Sequence, residues 1–173
     1  MSYEISLPTV YRQSGPMNCW FYATKTIVRC RTGRVMLEAD YMGMTIPPVV
    51  PVAIGRGAGV PTWLAHGLPP SSIGEFAALF EFAEPPVRPA VWTTADLERT
   101  LRAHGPLWFG GHNGSFNHVV VVSGVREGAI GTPANVLYGD PATGARATAT
   151  LTQFNEWKRQ QIGLRNPLYY AGR

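Results

Sequence analysis

The sequence predicts one α+β domain, helical in its N-terminal half and packed on an antiparallel β-sheet in its C-terminal half, and three observations predict it. Segments with apolar residues at helical spacing fall mainly before Gly105, and short β-rich runs bounded by turn residues fall after it. The chain has 173 residues, 45% of them hydrophobic, which is enough for one sizeable core and too little for two comfortable ones, so residues 1–173 are expected to form a single domain. With 19 Gly and 15 Pro against 15% charged residues, the composition calls for many turns between short elements rather than a helical bundle. Helical and sheet halves of this kind pack face to face, and the cleft between them is a natural place for a site.

The elements follow in order. A turn-forming "QSGPMN" leads into "CWFYATKTIVRCRTG", where Trp20, Ala23, Ile27 and Cys30 or Arg31 recur near helical spacing and Gly33 supplies a stop. This predicts a buried helix with Cys19 in its first turn. "RVMLEADYMG" predicts a second, short helix, and the Pro- and Gly-rich stretch 45–61 a connection with little regular structure. "SSIGEFAALFEFA" and "TTADLERTLRAHG" read as helices, the latter with Thr93 and Asp96 at capping-box spacing and Gly105 closing it. Beyond it, "PLWFGG", "HVVVVSGV", "NVLYGDP" and "LRNPLYYA" are the expected strands, interrupted by one helix in "LTQFNEWKRQQ". No internal repeat and no low-complexity segment is visible.

Charge excludes some classes of function. Fifteen Lys and Arg against eleven Asp and Glu give +4, and the basic residues are scattered rather than gathered into a stripe, so no nucleic-acid partner is expected. "MSYEISLPTVYRQ" lacks the basic segment and apolar core of a secretory signal, and no run of about 18 apolar residues could span a bilayer. A soluble chain with no membrane partner is the expectation. Cys19 and Cys30 would lie about 16 Å apart along one helix, against the 7 Å or so that a disulfide allows; two free thiols are expected. "GRGAG" at 55–59 has Val60 where a dinucleotide loop needs its third glycine, and two cysteines with four irregularly spaced histidines make no zinc pattern. Neither a metal nor a cofactor is expected.

The candidate chemistry centres on Cys19. A thiol becomes a good nucleophile as thiolate, and its pKa is lowered by a helix N-terminus or a neighbouring imidazolium. Among the histidines, His118 stands out because it starts the most hydrophobic strand, where a polar residue at the rim of a buried element is held rigidly. His66, His104 and His112 are more ordinarily structural or surface groups. An imidazole used in catalysis needs a third group to orient it, and Asp140, at the end of the next expected strand, can reach the same edge; read alone, Asp140 merely starts an Asp-Pro turn. Acyl transfer also needs donors for an oxyanion: the Cys19 N–H is one candidate, and Gln13, folding back across the Gly-Pro turn, another. Cys30 reads as a buried small hydrophobe. The tryptophans are core by default, though Trp20 and Trp108 flank the candidate site and are expected to line its cleft, with Gly110, Gly111 and Asn117 of the loop before His118.

Taken in order, "Q-x5-C-W" at the head of a helix, "HVVVVSGV" with His at a strand start, and "YGDPATG" resemble the papain-like cysteine peptidases. The likeness is closest to the short bacterial members, which include leader peptidases attached to bacteriocin exporters and effector proteases injected into other cells. It runs from Gln13 to Gly144. "GPMNCW" departs from the Gly-Ser-Cys or Gly-Ala-Cys of the larger enzymes, and 99 residues (118 − 19) separate Cys19 from His118, fewer than the roughly 130 to 150 of the plant and lysosomal forms. The resemblance implies a papain-like fold and a cysteine endopeptidase: Cys19 the nucleophile, His118 the general base and acid, Asp140 its orienting group, Gln13 in the oxyanion hole. It also implies a protein or peptide substrate, residence in a bacterial cytoplasm before delivery into a target cell by a specialised secretion system, and an immunity protein covering the cleft, since no long inhibitory pro-segment precedes Gln13. Two other readings keep the architecture. A glutamine deamidase or cell-wall peptide amidase would use the same acyl-thioester chemistry, and a non-catalytic binding domain would leave Cys19 merely packed.

Overall fold

The computed structural model describes residues 2–37, 67–112, 117–159 and 167–172. Among them seven strands form one sheet: β1 (Ser2–Glu4), β2 (Phe82–Ala83), β3 (Leu107–His112), β4 (Asn117–Arg126), β5 (Asn135–Asp140), β6 (Ala145–Thr150) and β7 (Leu168–Tyr170). Every pairing is antiparallel, in the spatial order β2-β7-β3-β4-β5-β6 with β1 beside β4. The described helices are α1 (Cys19–Thr32), α2 (Ile73–Leu79), entered through a 3-10 turn at Pro70–Ser72, α3 (Thr94–His104) and α4 (Leu151–Arg159). None of them is long and apolar enough to cross a membrane.

Strand β4 is the spine. Its first half pairs with β3, from Asn117 opposite His112 to Val122 opposite Leu107. Its second half takes β1 on that edge, Gly124 opposite Glu4, while β5 occupies the other edge. Side chains alternate across a strand, so the run of four valines serves two cores. Val119 and Val121 pack with Trp20, Ile27 and Phe76 of α1 and α2. Val120 and Val122 pack with Leu97, Leu101 and Phe154 of α3 and α4. A shift in register between Val122 and Gly124 inserts one extra residue at Ser123, which flips the alternation and brings Val125 onto the α3/α4 face. A strand buried on both faces reads as a continuous apolar run, which is why "VVVV" was conspicuous.

Helix α1 ends where Gly33 turns left-handed (φ 73), its N–H donating to the Arg29 carbonyl at 3.0 Å. Helix α3 starts with the reciprocal Thr93–Asp96 capping box that its sequence spacing implied. The chain differs from expectation between 71 and 83. One helix was expected there, but α2 stops at Leu79, Glu81 takes a positive φ of 58, and Phe82 becomes a strand residue opposite Tyr170. The Tyr170 hydroxyl donates to Glu81 Oε2 at 2.9 Å and the Ala171 N–H to the Glu81 carbonyl at 2.8 Å, so tertiary bonds hold a kink that local propensity disfavours.

Nor is the sheet confined to the second half. Strands β1 and β2 join it from the first, and helices cover both faces, so the expected picture of one helical half set against one sheet half is replaced by a central sheet between two helical layers. Arg34–Leu37, the start of the second expected helix, has no regular structure. The rest of that helix, the 45–61 connection, "GRGAG", Trp63 and His66 lie outside the described residues, as do residues 160–166 at the ends of two other expected elements.

Candidate active site

Cys19 opens α1, with Asn18 at the N-cap position. The Asn18 carbonyl accepts the N–H groups of Phe21 at 3.1 Å and Tyr22 at 3.3 Å, which fixes the first turn behind the thiol. Helix N-termini carry unpaired N–H groups and partial positive charge, a setting that favours an anion at the first turn. Cys19 is only 8% exposed, and its thiol is free, as is that of Cys30. Cys30 differs from the buried hydrophobe expected: it is half-buried, its S–H donating weakly to the Ser6 carbonyl at 3.8 Å.

His118 begins β4 and Asp140 ends β5. These strands are antiparallel neighbours, so the start of one lies beside the end of the other. With Val121 opposite Gly139, Asp140 falls diagonally across from His118 on the same face, a separation long polar side chains bridge. His118 Nε2 lies 2.7 Å from Asp140 Oδ1, and the Cys19 side chain is near enough to act on the ring. Since Nε2 is taken by Asp140, Nδ1 is the nitrogen left for sulfur. Burial works against the charged ring, but the Asp140 bond, the Cys19 side chain and the charges of both partners outweigh it and raise His118 to about 9. Asp140 moves the other way. Burial would raise its carboxyl, while the His118 bond, the Ala142 N–H and the His118 charge hold it below its ordinary value.

Asp140 also makes the turn expected of an Asp-Pro pair. Its Oδ1 accepts the Ala142 N–H at 2.8 Å and its carbonyl that of Gly144 at 2.8 Å, so the carboxylate that holds the imidazole also shapes the Asp-Pro turn. That turn meets the segment before α1: the Gln13 N–H donates to the Pro141 carbonyl at 2.8 Å, and Gly144 backs onto Arg12, which leaves no room for a Cβ. The Gln13 side chain turns toward α1, Nε2 donating to the Gly15 carbonyl at 2.8 Å. Its Oε1 is buried without a hydrogen-bond partner among the described residues.

Not all the expected site residues gather here. Trp20 and Trp108 are each 1% exposed, and both sit in the core around Phe76, where the Trp108 indole N–H donates to the Trp20 carbonyl at 3.3 Å. A substrate cannot reach either ring in this arrangement, which corrects their expected place in the cleft. Their ring contacts explain it: large aromatics next to a reactive residue still follow the hydrophobic face of their element. Gly110 and Gly111 are buried in β3, paired with Val119 and His118. Asn117 is exposed at the rim beside His118. His112 pairs with Asn117 at the end of β3, and His104 stacks on Tyr169 at 4.1 Å; residues 113–116 are outside the described residues.

Sequence reading missed Trp157. It belongs to a cavity of about 470 Å³ between the sheet and α4, lined by His118, Asp140, Tyr138, Gln153, Phe154 and Trp157. Only the helical spacing of Phe154 and Trp157 hinted at an inward face, and nothing in that spacing pointed to His118. The cavity has a size that suits a side chain or small ligand, and it abuts the His118–Asp140 pair.

A nucleophile, an imidazole oriented by a carboxylate, and candidate oxyanion donors are the parts that acyl transfer requires. Comparison with known proteins gives a matching family: the model described as "Papain-like cysteine protease AvrRpt2" matches residues 1–159. No curated protein matches the chain.

Proposed function

Because the chain belongs to the papain-like cysteine protease AvrRpt2 family, we propose that it is a cysteine endopeptidase in which Cys19, His118 and Asp140 form the catalytic triad and Gln13 contributes to the oxyanion hole. The observation that carries this reading is the His118 ring, held by Asp140 at 2.7 Å with the Cys19 side chain near enough to act on it. A packing histidine has no need of both partners.

The Cys19 thiolate forms a bond to the scissile carbonyl carbon, and the carbonyl electron pair moves onto oxygen. The Cys19 N–H and the second hydrogen of Gln13 Nε2, the first being donated to Gly15, stabilise that oxyanion. As it collapses the C–N bond breaks, and imidazolium His118 gives its proton to the leaving amine. Neutral His118 then takes a proton from water, the hydroxide attacks the thioester carbonyl, and release of the acid product restores the thiolate and the imidazolium. Asp140 keeps the ring oriented and stabilises its charged form throughout.

The test is a digest of a proteome-derived peptide library by wild type and Cys19→Ala, read by mass spectrometry for new peptide ends. New N-termini made only by wild type support the reading. Glutamines converted to glutamates with the peptides intact, or no change at all, would overturn it in favour of a deamidase or a binding domain. We further place the enzyme as a toxin delivered from a bacterial cytoplasm into a target cell, with an immunity protein covering the cleft in the producer. Growth arrest on cytoplasmic expression, absent in Cys19→Ala and relieved by a neighbouring gene product, is the expected result; harmless expression of active enzyme would contradict it.

A further inference from the structure

We propose that Asn18 is a positioning residue for the oxyanion hole, a brace that sets the Gln13 carboxamide against the Cys19 N–H; the inference rests on the peptidase reading above. An Asn at the N-cap ordinarily turns its side-chain oxygen forward, onto the N–H of the second or third helical residue. Asn18 makes no such bond. Its side chain points backward along the chain: Oδ1 accepts the Gly15 N–H at 3.2 Å, and Nδ2 donates to Ser14 Oγ at 2.9 Å. At 6% exposure, the amide is a buried group with defined partners rather than a solvated one.

The same Gly15 carries the next link. Its N–H is pinned by Asn18 and its carbonyl accepts Gln13 Nε2 at 2.8 Å, so a continuous chain of hydrogen bonds runs from Asn18 through one glycine to the Gln13 amide. The Gln13 main chain is fixed separately, by the Pro141 carbonyl after Asp140. One end of Gln13 is thus set by the turn that follows the Asp140 strand, and the other by the residue next to Cys19. Two consequences follow. Asn18 couples the position of one oxyanion donor to the helix that carries the other. By facing backward it also leaves the first-turn donors of α1 uncapped by its side chain.

The experiment measures kcat and KM on one peptide that wild type cleaves, for Gln13→Ala, Asn18→Ala, the double variant of those two, Ser14→Ala, and Ser14→Ala in the Gln13→Ala background. Loss of an oxyanion donor costs about 100- to 1000-fold in kcat, and a misplaced one somewhat less. Asn18→Ala is expected to lower kcat about 10-fold or more with KM unchanged, to leave the rate of Cys19 alkylation by iodoacetamide unchanged, and to add nothing in the Gln13→Ala background. An unchanged kcat, or losses that multiply in the double variant, overturns the proposal. Ser14 is exposed, so Ser14→Ala keeps the fold even where Asn18→Ala does not. It should give a smaller fall in kcat that vanishes in the Gln13→Ala background, and its absence likewise overturns the brace. A wild type that cleaves no peptide overturns the peptidase reading and this inference together, whereas a kcat that falls in Gln13→Ala and not in Asn18→Ala overturns the brace alone.

Discussion

The indole of Trp157 lies against the Cα of Gly111, so close that a Cβ at position 111 would collide with its ring atoms. Gly111 faces His118 across the β3–β4 pair, and Trp157 shares a cavity wall with His118 and Asp140. The missing side chain in β3 is therefore what lets α4 bring an aromatic ring beside the imidazole. Gly111→Ala should destabilise the protein by about 1–3 kcal/mol, the usual cost of overpacking. Trp157→Ala in the same chain should recover part of that loss. Chemical denaturation of wild type, both single variants and the double checks it, and purely additive losses would mean that the two residues do not meet as described.

Cys19→Ala should abolish turnover and leave the fold intact. Sulfur is replaced by a methyl hydrogen set in a nearly buried position, so the change in stability should stay near 1 kcal/mol or below. Thermal unfolding beside the peptide assay separates the two effects. Loss of folding in this variant would show that Cys19 is chiefly a packing residue.

The pH dependence has a definite sign. His118 is raised in the folded protein from 6.5 to about 9, so its contribution to stability is fully present below about pH 6.5 and is lost as pH rises through about 9. Asp140 is lowered from 3.8; its contribution is present above that value and is lost as pH falls through the depressed one. Catalysis should follow the imidazolium, with kcat/KM declining above about pH 9 as the proton for the leaving amine disappears. Asp140→Asn removes the carboxylate charge and should shift that alkaline limb to lower pH. NMR titration of the His118 ring protons in both proteins measures the shift, and an unmoved ring titration would contradict the pairing.

The α3 cap offers a test of the scaffold remote from the site. The Asp96 N–H donates to Thr93 Oγ1 at 3.1 Å, and Asp96 Oδ2 accepts the Thr93 N–H at 3.3 Å. Thr93→Ala should cost about 1 kcal/mol with kcat/KM unchanged. A change in activity without a change in stability would tie this end of α3 to the site.

The parts of this protein legible in its sequence are those written in local patterns. The α3 cap, the Gly33 stop and the valine run of β4 each carry a short-range signal, and each element formed where that signal put it. His118 and Asp140 were legible as a pair because adjacent antiparallel strands bring the start of one beside the end of the other. What escaped was set by distant partners. Strand β6, "ARATAT", is too weakly apolar to announce itself and exists by pairing with β5. Phe82 left its expected helix for a strand because Tyr170 lies beside it. Trp20 and Trp108 looked like cleft residues from their neighbours in sequence, but the aromatic cluster around Phe76 takes both rings. Asn18 was legible only as part of the turn before α1, since nothing in "QSGPMNC" tells which way its amide will turn.

The most direct measurement of the central claim is the rate of iodoacetamide alkylation at Cys19 across pH, followed by intact mass and peptide mapping in wild type and His118→Ala. Cys30 is the internal reference, because burial raises its thiol above the ordinary value and more than offsets the nearby Arg31 charge. An activated pair predicts that Cys19 reacts well below the free-thiol pKa of about 8.5, faster than Cys30, and that His118→Ala removes the advantage. A Cys19 no faster than Cys30 at any pH, or one indifferent to His118, would contradict it.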